Sequence, residues 1–499
     1  MIFARKKDES KVVLQSDDSG ILMELSEFFT FYVEGYKFMP AYRNKMWDGK
    51  IRLYDSRSQT IPYGLMKRVA EFCYERGYEL KHDDSLKNVN FHESVDLKKF
   101  IDDQVITVNN GEVITPRDYQ QDAFIHAAQN KRCILISPTG SGKSLIIYML
   151  LRHYLENEMD KKVLVVVPTT SLVEQMYKDF EQYSLKDAEF DATEDVHRIY
   201  SGKEKINFEH SVVITTWQSA IKLPASWFLQ YGMVIGDEAH TFKAKSLTTI
   251  MNRLTNAEVR VGTTGTIDDA VANQMTLEGN FGPIYKVTTT KELIDSDTLA
   301  QLEVQCLVLK YSDELKKQCR GLKYQDEIDF IVSHEKRNRF IVNLTCDQQG
   351  NSLVLYNLVQ KHGKPLYDMF TERLKGTGRK VFFVSGAVNA EERERIRAVT
   401  EKEKNAIIVA SVGTFSTGIN IVNLHNIMFA SPTKSQIRVL QSIGRGLRKT
   451  KDSKGTTVYD LADDLAWKKK KNYTLNHAIE RVKIYAREKF NYKIHEVPL

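Results

Sequence analysis

The chain has 499 residues, 42% of them hydrophobic and 27% charged, with a formal net charge of +6. That length allows about three domains, and that composition fits packed globular cores rather than a disordered chain. No apolar run reaches the roughly 20 residues that span a bilayer, the N-terminal MIFARKKDESK has no secretory apolar stretch, and no cysteine pair has CxxC spacing, so neither a zinc site nor a disulfide framework is suggested. These features predict a cytoplasmic protein with no membrane partner.

Residues 1–95 show no alternation of strand and helix patterns. Their centre, FFTFYVEGYKFMPAYRNKMWDGKIRLYD, mixes aromatic with basic side chains and reads as a small α+β domain. From Lys37 to Arg68 there are eight basic residues against two acidic ones. Lys45, Lys50 and Arg52 lie close to Trp47, and we expect them to contact the phosphates of double-stranded or branched nucleic acid, with an aromatic ring stacking at an opened end. Most of the aromatics Phe28, Phe29, Phe31, Tyr32, Tyr36, Phe38, Tyr42, Trp47 and Tyr54 are expected to fill the domain's own core.

Between about Arg117 and Leu461, short apolar runs alternate with amphipathic stretches. Strand candidates are CILIS (133–137), VLVVVP (163–168), VVITTW (212–217), MVIGDE (233–238) and VRVGTT (259–264), then EVQCLVLKY (303–311), SLVLY (352–356), KVFFVS (380–385), AIIVAS (406–411), NIMFAS (426–431) and TTVYDL (456–461). Such runs predict βαβ units, and their number fits two α/β lobes with parallel sheets better than one, over 96–300 and 301–462, joined near Thr298–Leu302. The tail, 463–499, reads as a helical extension with Leu475, Ile479, Val482, Ala486 and Phe490 along one side. From Lys434 to Lys493 there are sixteen basic and six acidic residues. Two basic segments on an otherwise acidic chain suggest a polyanionic partner; solvated helix faces are the plainer account.

SPTGSGKS (137–144) follows an apolar strand and opens a helix. It is a phosphate-binding loop with Ser137 in place of the usual first glycine. Backbone N–H groups around Thr139, Gly140, Ser141 and Gly142, together with the helix N-terminus, make an anion site. Lys143 is expected on the β- and γ-phosphates of ATP, and the Ser144 hydroxyl on Mg²⁺. VIGDEAH (234–240) is the expected companion, a strand ending in two carboxylates and lying beside the loop. Asp237 would hold Mg²⁺ and Glu238 would orient and deprotonate the attacking water. His240 either couples the nucleotide to nucleic acid or satisfies a local hydrogen bond.

SPTGSGKS, VPTTSLVEQ (167–175), ITTWQS (214–219), DEAH, GTTGT (262–266), SVGTFSTGIN (411–420) and QSIGRGLR (441–448) occur in the order and spacing of superfamily 2 helicases. PRDYQQDA (116–123) resembles the segment ahead of the loop in the RecG-like and XPB-like groups. Among these, the chain is most similar to phage recombination-repair helicases, which share an N-terminal aromatic and basic domain. The resemblance implies two tandem RecA-like lobes. It places Arg117 and Gln120 at the nucleotide, Gly418 and Gln441 on the nucleotide side of the second lobe, and Arg445 and Arg448 as the cations that stabilise charge on the γ-phosphate. It assigns Pro168, Thr169, Thr216, Gln218 and Thr414 to a nucleic-acid surface, Asn420 to the end of its motif, and Thr264 and Thr266 to coupling hydrolysis with movement. The activity it implies is ATP-dependent unwinding or translocation on branched DNA, such as forks, Holliday junctions and R-loops, in recombination, replication and repair, using ATP and Mg²⁺; we expect the protein to be a monomer. A DEAH-type RNA helicase, the translocating subunit of a restriction-like complex, and a duplex-binding module whose ATPase is only a switch remain the alternatives.

Overall fold

The computed structural model describes residues 1–86, 94–157, 160–200, 209–267, 270–386, 395–396, 398–400, 402–414, 424–432, 443–444, 447, 455–468 and 470–499. The chain divides into two compact units, Met1–Ser137 with Gly142–Val287 and Pro138–Ser141 with Thr288–Leu499. Among the described residues no helix is long and apolar enough to cross a membrane.

The N-terminal region is built on β1 (Ile2–Lys6) and β2 (Lys11–Gln15), which pair antiparallel. A ribbon of β3 (Thr30–Tyr32) and β4 (Lys50–Arg52) follows, then β5 (Thr60–Pro62) and β6 (Leu80–His82), giving a mixed sheet in the order β5-β2-β1-β6. Alternation sends Ile2, Ala4, Val12 and Leu14 inward, where helices Ser19–Phe28 and Met66–Arg76 cover them with Leu25, Val69 and Phe72. Of the nine aromatics, most of which were expected in this core, only four belong to it: Phe29 and Tyr54 are buried in it and Phe28 and Phe31 pack against it. The rest lie outside the core, because the chain between β3 and β4 makes its own cluster: Tyr32 stacks on Tyr36 at 4.7 Å and Tyr36 meets Tyr42 edge-on at 4.8 Å.

This domain is seated on the first lobe. Met275, from the lobe's helix Val271–Phe281, completes the N-terminal core. Arg68 makes a two-pronged ion pair with Glu278 of the same helix, at 2.8 and 2.9 Å, and Arg132 reaches Glu9 at 2.7 Å. A Cβ on Gly64 would come within 2.0 Å of the Glu278 carbonyl oxygen, so only glycine lets the backbones approach this closely.

The first lobe starts with a ribbon of β7 (Ile106–Val108) and β8 (Glu112–Ile114). Its sheet comprises β9 (Arg132–Ile136), β10 (Lys162–Val167), β11 (Val196–Ile199), β12 (Val212–Thr216), β13 (Tyr231–Asp237), β14 (Val259–Thr264) and β15 (Ile284–Lys286). All seven run parallel, in the order β11-β12-β10-β13-β14-β9-β15. Val163–Val167 and Val212–Thr216 are buried throughout, as in a sheet covered on both faces, which is why these strands read as unbroken apolar runs.

The second lobe repeats the plan. Its strands are β16 (Leu302–Lys310), β17 (Ser352–Tyr356), β18 (Val381–Val384), β19 (Ile407–Ser411), β20 (Asn426–Phe429), β21 (Thr456–Asp464) and β22 (Asn491–Pro498). They are all parallel, in the order β18-β19-β17-β20-β21-β16-β22. All eleven expected strands are present. The sequence reading missed β11, β15 and β22, of which β11 and β15 are short and β22 is largely exposed.

The helical tail holds as helix Tyr473–Arg487, but with a different inner face. The buried positions are Thr474, Ala478, Arg481, Ile484 and Tyr485, and Ala486 is exposed. Asp460 on β21 decides this, since Arg481 pairs with it at 2.6 Å and the Tyr485 hydroxyl donates to it at 2.8 Å. A buried carboxylate needs these partners more than the apolar stripe needs cover. Asp463, three residues on, does the same for helix Glu335–Asp347 through Arg337, at 2.7 Å and fully buried.

Candidate nucleotide and nucleic-acid site

Because every strand of the first sheet is parallel, the chain leaves all of them at one edge, where ligands of open α/β sheets bind. β9 ends at Ile136 and runs straight into the phosphate loop. Ser137 is fully buried, and its N–H donates to the Thr264 carbonyl at 2.8 Å. Gly142 has φ +79°, a conformation that side chains rarely adopt, and a Cβ there would lie 2.4 Å from Gln120 Nε2. Gln120 is itself buried and accepts from the Arg117 N–H through Oε1 at 2.9 Å. Gln120 thus braces the loop from the start of helix Asp118–Asn130. Arg117 is exposed, its guanidinium 3.5 Å from the Tyr119 hydroxyl.

Helix Lys143–Asn157 starts at the lysine. Lys143 Nζ donates to the Ser137 carbonyl at 3.2 Å, which holds it at the loop. Ser144 Oγ lies 3.0 Å from the Tyr183 hydroxyl. Nothing in the local sequence singles out Tyr183, which arrives at the end of helix Thr170–Tyr183.

The strand bearing Asp237 is not the immediate neighbour of the strand that leads into the loop, although the Lys143 ammonium acts on the Asp237 carboxyl. β14 separates β13 from β9. The consequence is chemical, because β14 carries Thr263 and Thr264 of GTTGT between the two motifs. Thr263 Oγ1 donates to Asp237 Oδ1 at 2.8 Å, a contact the sequence reading missed. The only available signal was strand periodicity, which points Thr263 and Thr264 to opposite faces. Burial pushes the Asp237 carboxyl above its ordinary range and the neighbouring Glu238 charge adds to this, while the Lys143 ammonium and the Thr263 hydroxyl oppose it.

Glu238 sits at φ +52°, so the chain turns sharply as it leaves β13. His240 Nδ1 lies 3.3 Å from Glu238 Oε2 and 3.0 Å from Thr264 Oγ1. The Thr264 hydroxyl donates to the Thr266 carbonyl at 2.8 Å, so it accepts from His240, and the imidazole proton belongs on Nδ1. A continuous chain therefore runs from Glu238 through His240 and Thr264 to the loop after β14.

On the other side of β13 lie β10 and β12. Gln218 Nε2 donates to the Pro168 carbonyl at 3.3 Å, tying the two segments assigned to nucleic acid. Thr169 caps helix Thr170–Tyr183, with Oγ1 accepting from the Leu172 N–H at 3.4 Å, and Thr216 Oγ1 donates to Ser219 at 3.1 Å. Along one edge, then, Thr216, Gln218, Pro168 and Thr169 follow β12 and β10 on one side of β13, which bears Asp237, while β14 and the loop strand β9 lie on its other side. In the second lobe Thr414 follows β19 and its hydroxyl accepts from Ser411 Oγ at 2.6 Å. Gly418, Asn420, Gln441, Arg445 and Arg448 lie outside the described residues.

In the N-terminal domain, Lys45 is exposed at φ +56°. The Lys50 ammonium sits 4.9 Å over the Tyr32 ring, and Arg52 is paired with Asp48. Trp47 Nε1 donates to the Lys50 carbonyl at 2.9 Å. Phe38 and Met46 stand 75% and 80% exposed on the same protrusion.

Two parallel α/β lobes, a phosphate loop, and an Asp-Glu strand end wired to a neighbouring threonine strand define a RecA-like superfamily 2 helicase. Family profiles agree: "DNA helicase UvsW, N-terminal" matches residues 2–83, "Type III restriction enzyme, res subunit" residues 113–269, and "Helicase conserved C-terminal domain" residues 335–450. The chain is 37% identical to the ATP-dependent DNA helicase uvsW of Enterobacteria phage T4, over 99% of its own length and 98% of that protein's. The crystal structure of T4 UvsW matches with a TM-score of 0.53 at 36% identity, covering 100% of this chain and 99% of that one. The chain belongs to the UvsW family of superfamily 2 helicases. A DNA-bound Type ISP restriction-modification enzyme, LlaBIII, matches 85% of this chain and 34% of its own with a TM-score of 0.55, and at 17% identity that likeness is one of fold.

Proposed function

We propose that the protein is an ATP-dependent DNA helicase or translocase that remodels branched DNA, including forks, Holliday junctions and R-loops, in recombination, replication and repair. One observation carries the motor reading: the nucleotide residues and the nucleic-acid residues share a single sheet edge, with β13 between β14 and β10. A change at the phosphates therefore has a short physical route to the strand-contacting segments. Family membership supports DNA over RNA. The exposed Lys45, Phe38 and Met46 on the N-terminal protrusion support binding to duplex or opened ends.

In this reading the loop N–H groups and Lys143 hold the β- and γ-phosphates of ATP. Glu238 accepts the proton of the attacking water, and His240 orients its carboxylate. Arg445 and Arg448 supply charge to the transferring phosphoryl group, and Gly418 and Gln441 contact the nucleotide. Asp237 suits a cation: it is a buried carboxylate whose ionised form its surroundings oppose, and one carboxylate with one hydroxyl and substrate phosphates is how Mg²⁺ is commonly held. Asp237 and Ser144 would hold Mg²⁺, which would neutralise charge on the phosphates. His240, Thr264 and Thr266 link hydrolysis to the loop after β14. We further propose that the protein acts as a monomer in the cytoplasm.

The test is ATPase and strand displacement on single strand, blunt duplex, fork, four-way junction and R-loop, with matched RNA. Displacement of DNA, greatest on branched substrates, is the expected result. Preference for RNA duplexes, cleavage of DNA by the pure protein, or ATP-dependent binding with no displacement would each replace the reading with a named alternative.

A further inference from the structure

Where β21 ends, the chain makes a tight turn in which Trp467 and Lys470 exchange backbone hydrogen bonds of 3.1 Å each, with Lys468 at φ +53°. Helix Tyr473–Arg487 follows, with no capping bond from its own N-cap side chain. The cap comes from Glu327, on helix Tyr324–Ser333. Its carboxylate accepts from Asn472 Nδ2 at 2.9 Å, the Tyr473 N–H at 3.0 Å, the Thr474 N–H at 2.7 Å and Thr474 Oγ1 at 2.8 Å. Asn472 Oδ1 in turn accepts from the Leu465 N–H at 3.1 Å. With four donors at a helix N-terminus this buried anion is fully used, so it fixes the turn and does not call for a cation.

Above that base lies a pocket of about 240 Å³, with Trp467, Tyr473, Arg320, Lys470 and Lys471 around Glu327. It is smaller than the roughly 300–1,000 Å³ of sites for drug-sized ligands, a size that suits one base rather than a whole cofactor. Tyr473 is 49% exposed and Tyr324 44%, although their rings meet edge-on at 5.9 Å. The pocket is lined by one indole and one exposed tyrosine, Trp467 and Tyr473, and sequence-tolerant stacking of bases on such rings is how single strands are held. Three cations at the same opening match the base's phosphate.

We infer that this pocket takes one unstacked nucleotide of a single strand, its base against Trp467 and Tyr473 and its phosphate on Arg320, Lys470 and Lys471. This deepens the motor reading and rests on it. The pocket gives the second lobe a contact separate from Thr414, because β21 and β19 stand three places apart in the sheet, about 14 Å at the usual strand spacing.

The test uses the full chain and defined oligonucleotides. Trp467→Ala should weaken single-strand affinity roughly 5- to 150-fold, the range for one stacked base, and Trp467→Phe should keep most of it. Wild type should prefer a normal oligonucleotide to one bearing abasic residues, and that preference should shrink in Trp467→Ala. An oligonucleotide carrying 5-iododeoxyuridine, irradiated on the wild-type protein, should crosslink to Trp467 or Tyr473. If Trp467→Ala does not fold, the crosslink and the affinity of Lys470→Glu with Lys471→Glu decide. Unchanged affinity and base preference, with crosslinks only elsewhere, would overturn the pocket. If the wild-type chain bound no single strand and DNA did not stimulate its ATPase, the motor reading itself would fail.

Discussion

The nucleotide edge of the first lobe and the protrusion between β3 and β4 are both assigned to phosphate, and they are built in opposite ways. At the edge, Asp237, Thr263 and Thr264 are buried, and each is held by hydrogen bonds. Water is largely excluded, so each charge and dipole acts at close to full strength. On the protrusion, Lys45 is exposed and Arg52 is paired with Asp48 in solvent, where screening leaves little. The edge therefore should depend on single atoms, and the protrusion on summed charge.

That contrast is sharpest at Lys143. Lys143→Ala should lower kcat for ATP hydrolysis by at least about 10²–10³-fold, the usual cost of one preorganised electrostatic group. The variant should still bind DNA in an anisotropy assay and displace no strand. Strand displacement at the wild-type rate would break the assignment of the edge.

Asp237→Asn should also remove hydrolysis while making the ligand-free protein more stable. The sign follows from burial. The folded-state carboxyl titrates above the ordinary value of 3.8, so the folded form binds its proton more tightly than the unfolded chain does. Stability is then lost as pH rises from that value through the folded pKa, and stays lost at neutral pH. Asparagine removes this cost and still accepts from Thr263. Calorimetry at neutral pH should show a higher Tm, by about 1–2 °C for each kcal/mol recovered in a unit of this size, with the gap narrowing as pH falls. A lower Tm for the variant would mean that Lys143 and Thr263 outweigh burial.

A smaller effect is expected at Thr263. Thr263→Val leaves a buried, charged acceptor without its donor, and hydrogen bonds to charged groups are worth about 1.5–3 kcal/mol. kcat/KM for ATP should fall roughly 10- to 150-fold, with Thr263→Ser close to wild type. Equal activity of the valine and serine variants would show that β14 only fills space.

The least effect belongs to the protrusion. Lys45→Glu with Lys50→Glu should weaken duplex affinity at low salt and reduce the slope of log affinity against log salt by about 1 for each phosphate no longer neutralised. Affinity and slope that do not move would take duplex binding away from this domain. A collapse of ATP hydrolysis in this variant would erase the contrast between the two regions.

Much of the first site was legible in the chain. A glycine-rich turn after an apolar run, a strand ending in Asp-Glu, and their spacing are local patterns, and each depends on backbone geometry that the residues themselves impose. The bracing of Gly142 by Gln120, the hydroxyl of Tyr183 beside Ser144, and the donor Thr263 were not legible. They come from helices and a strand that the sheet brings together across long separations. Strand order is the clearest instance: nothing in VIGDEAH or SPTGSGKS says that GTTGT lies between them.

By itself the sequence determined eleven of the fourteen strands of the two lobes, where the phosphate loop forms, and that the chain builds two α/β lobes, because hydrophobic period and glycine placement act over a few residues; the short β11 and β15 and the exposed β22 carry too little of that pattern. The tertiary structure alone decided which polar groups meet. It placed β14 between the two nucleotide motifs, rolled helix Tyr473–Arg487 to bring Arg481 onto Asp460, and gathered Trp467, Tyr473 and three cations around the capped end of that helix. The reason is that a buried charge or donor must find a partner wherever the packed elements supply one, and that demand is set by the fold and not by neighbours in the chain.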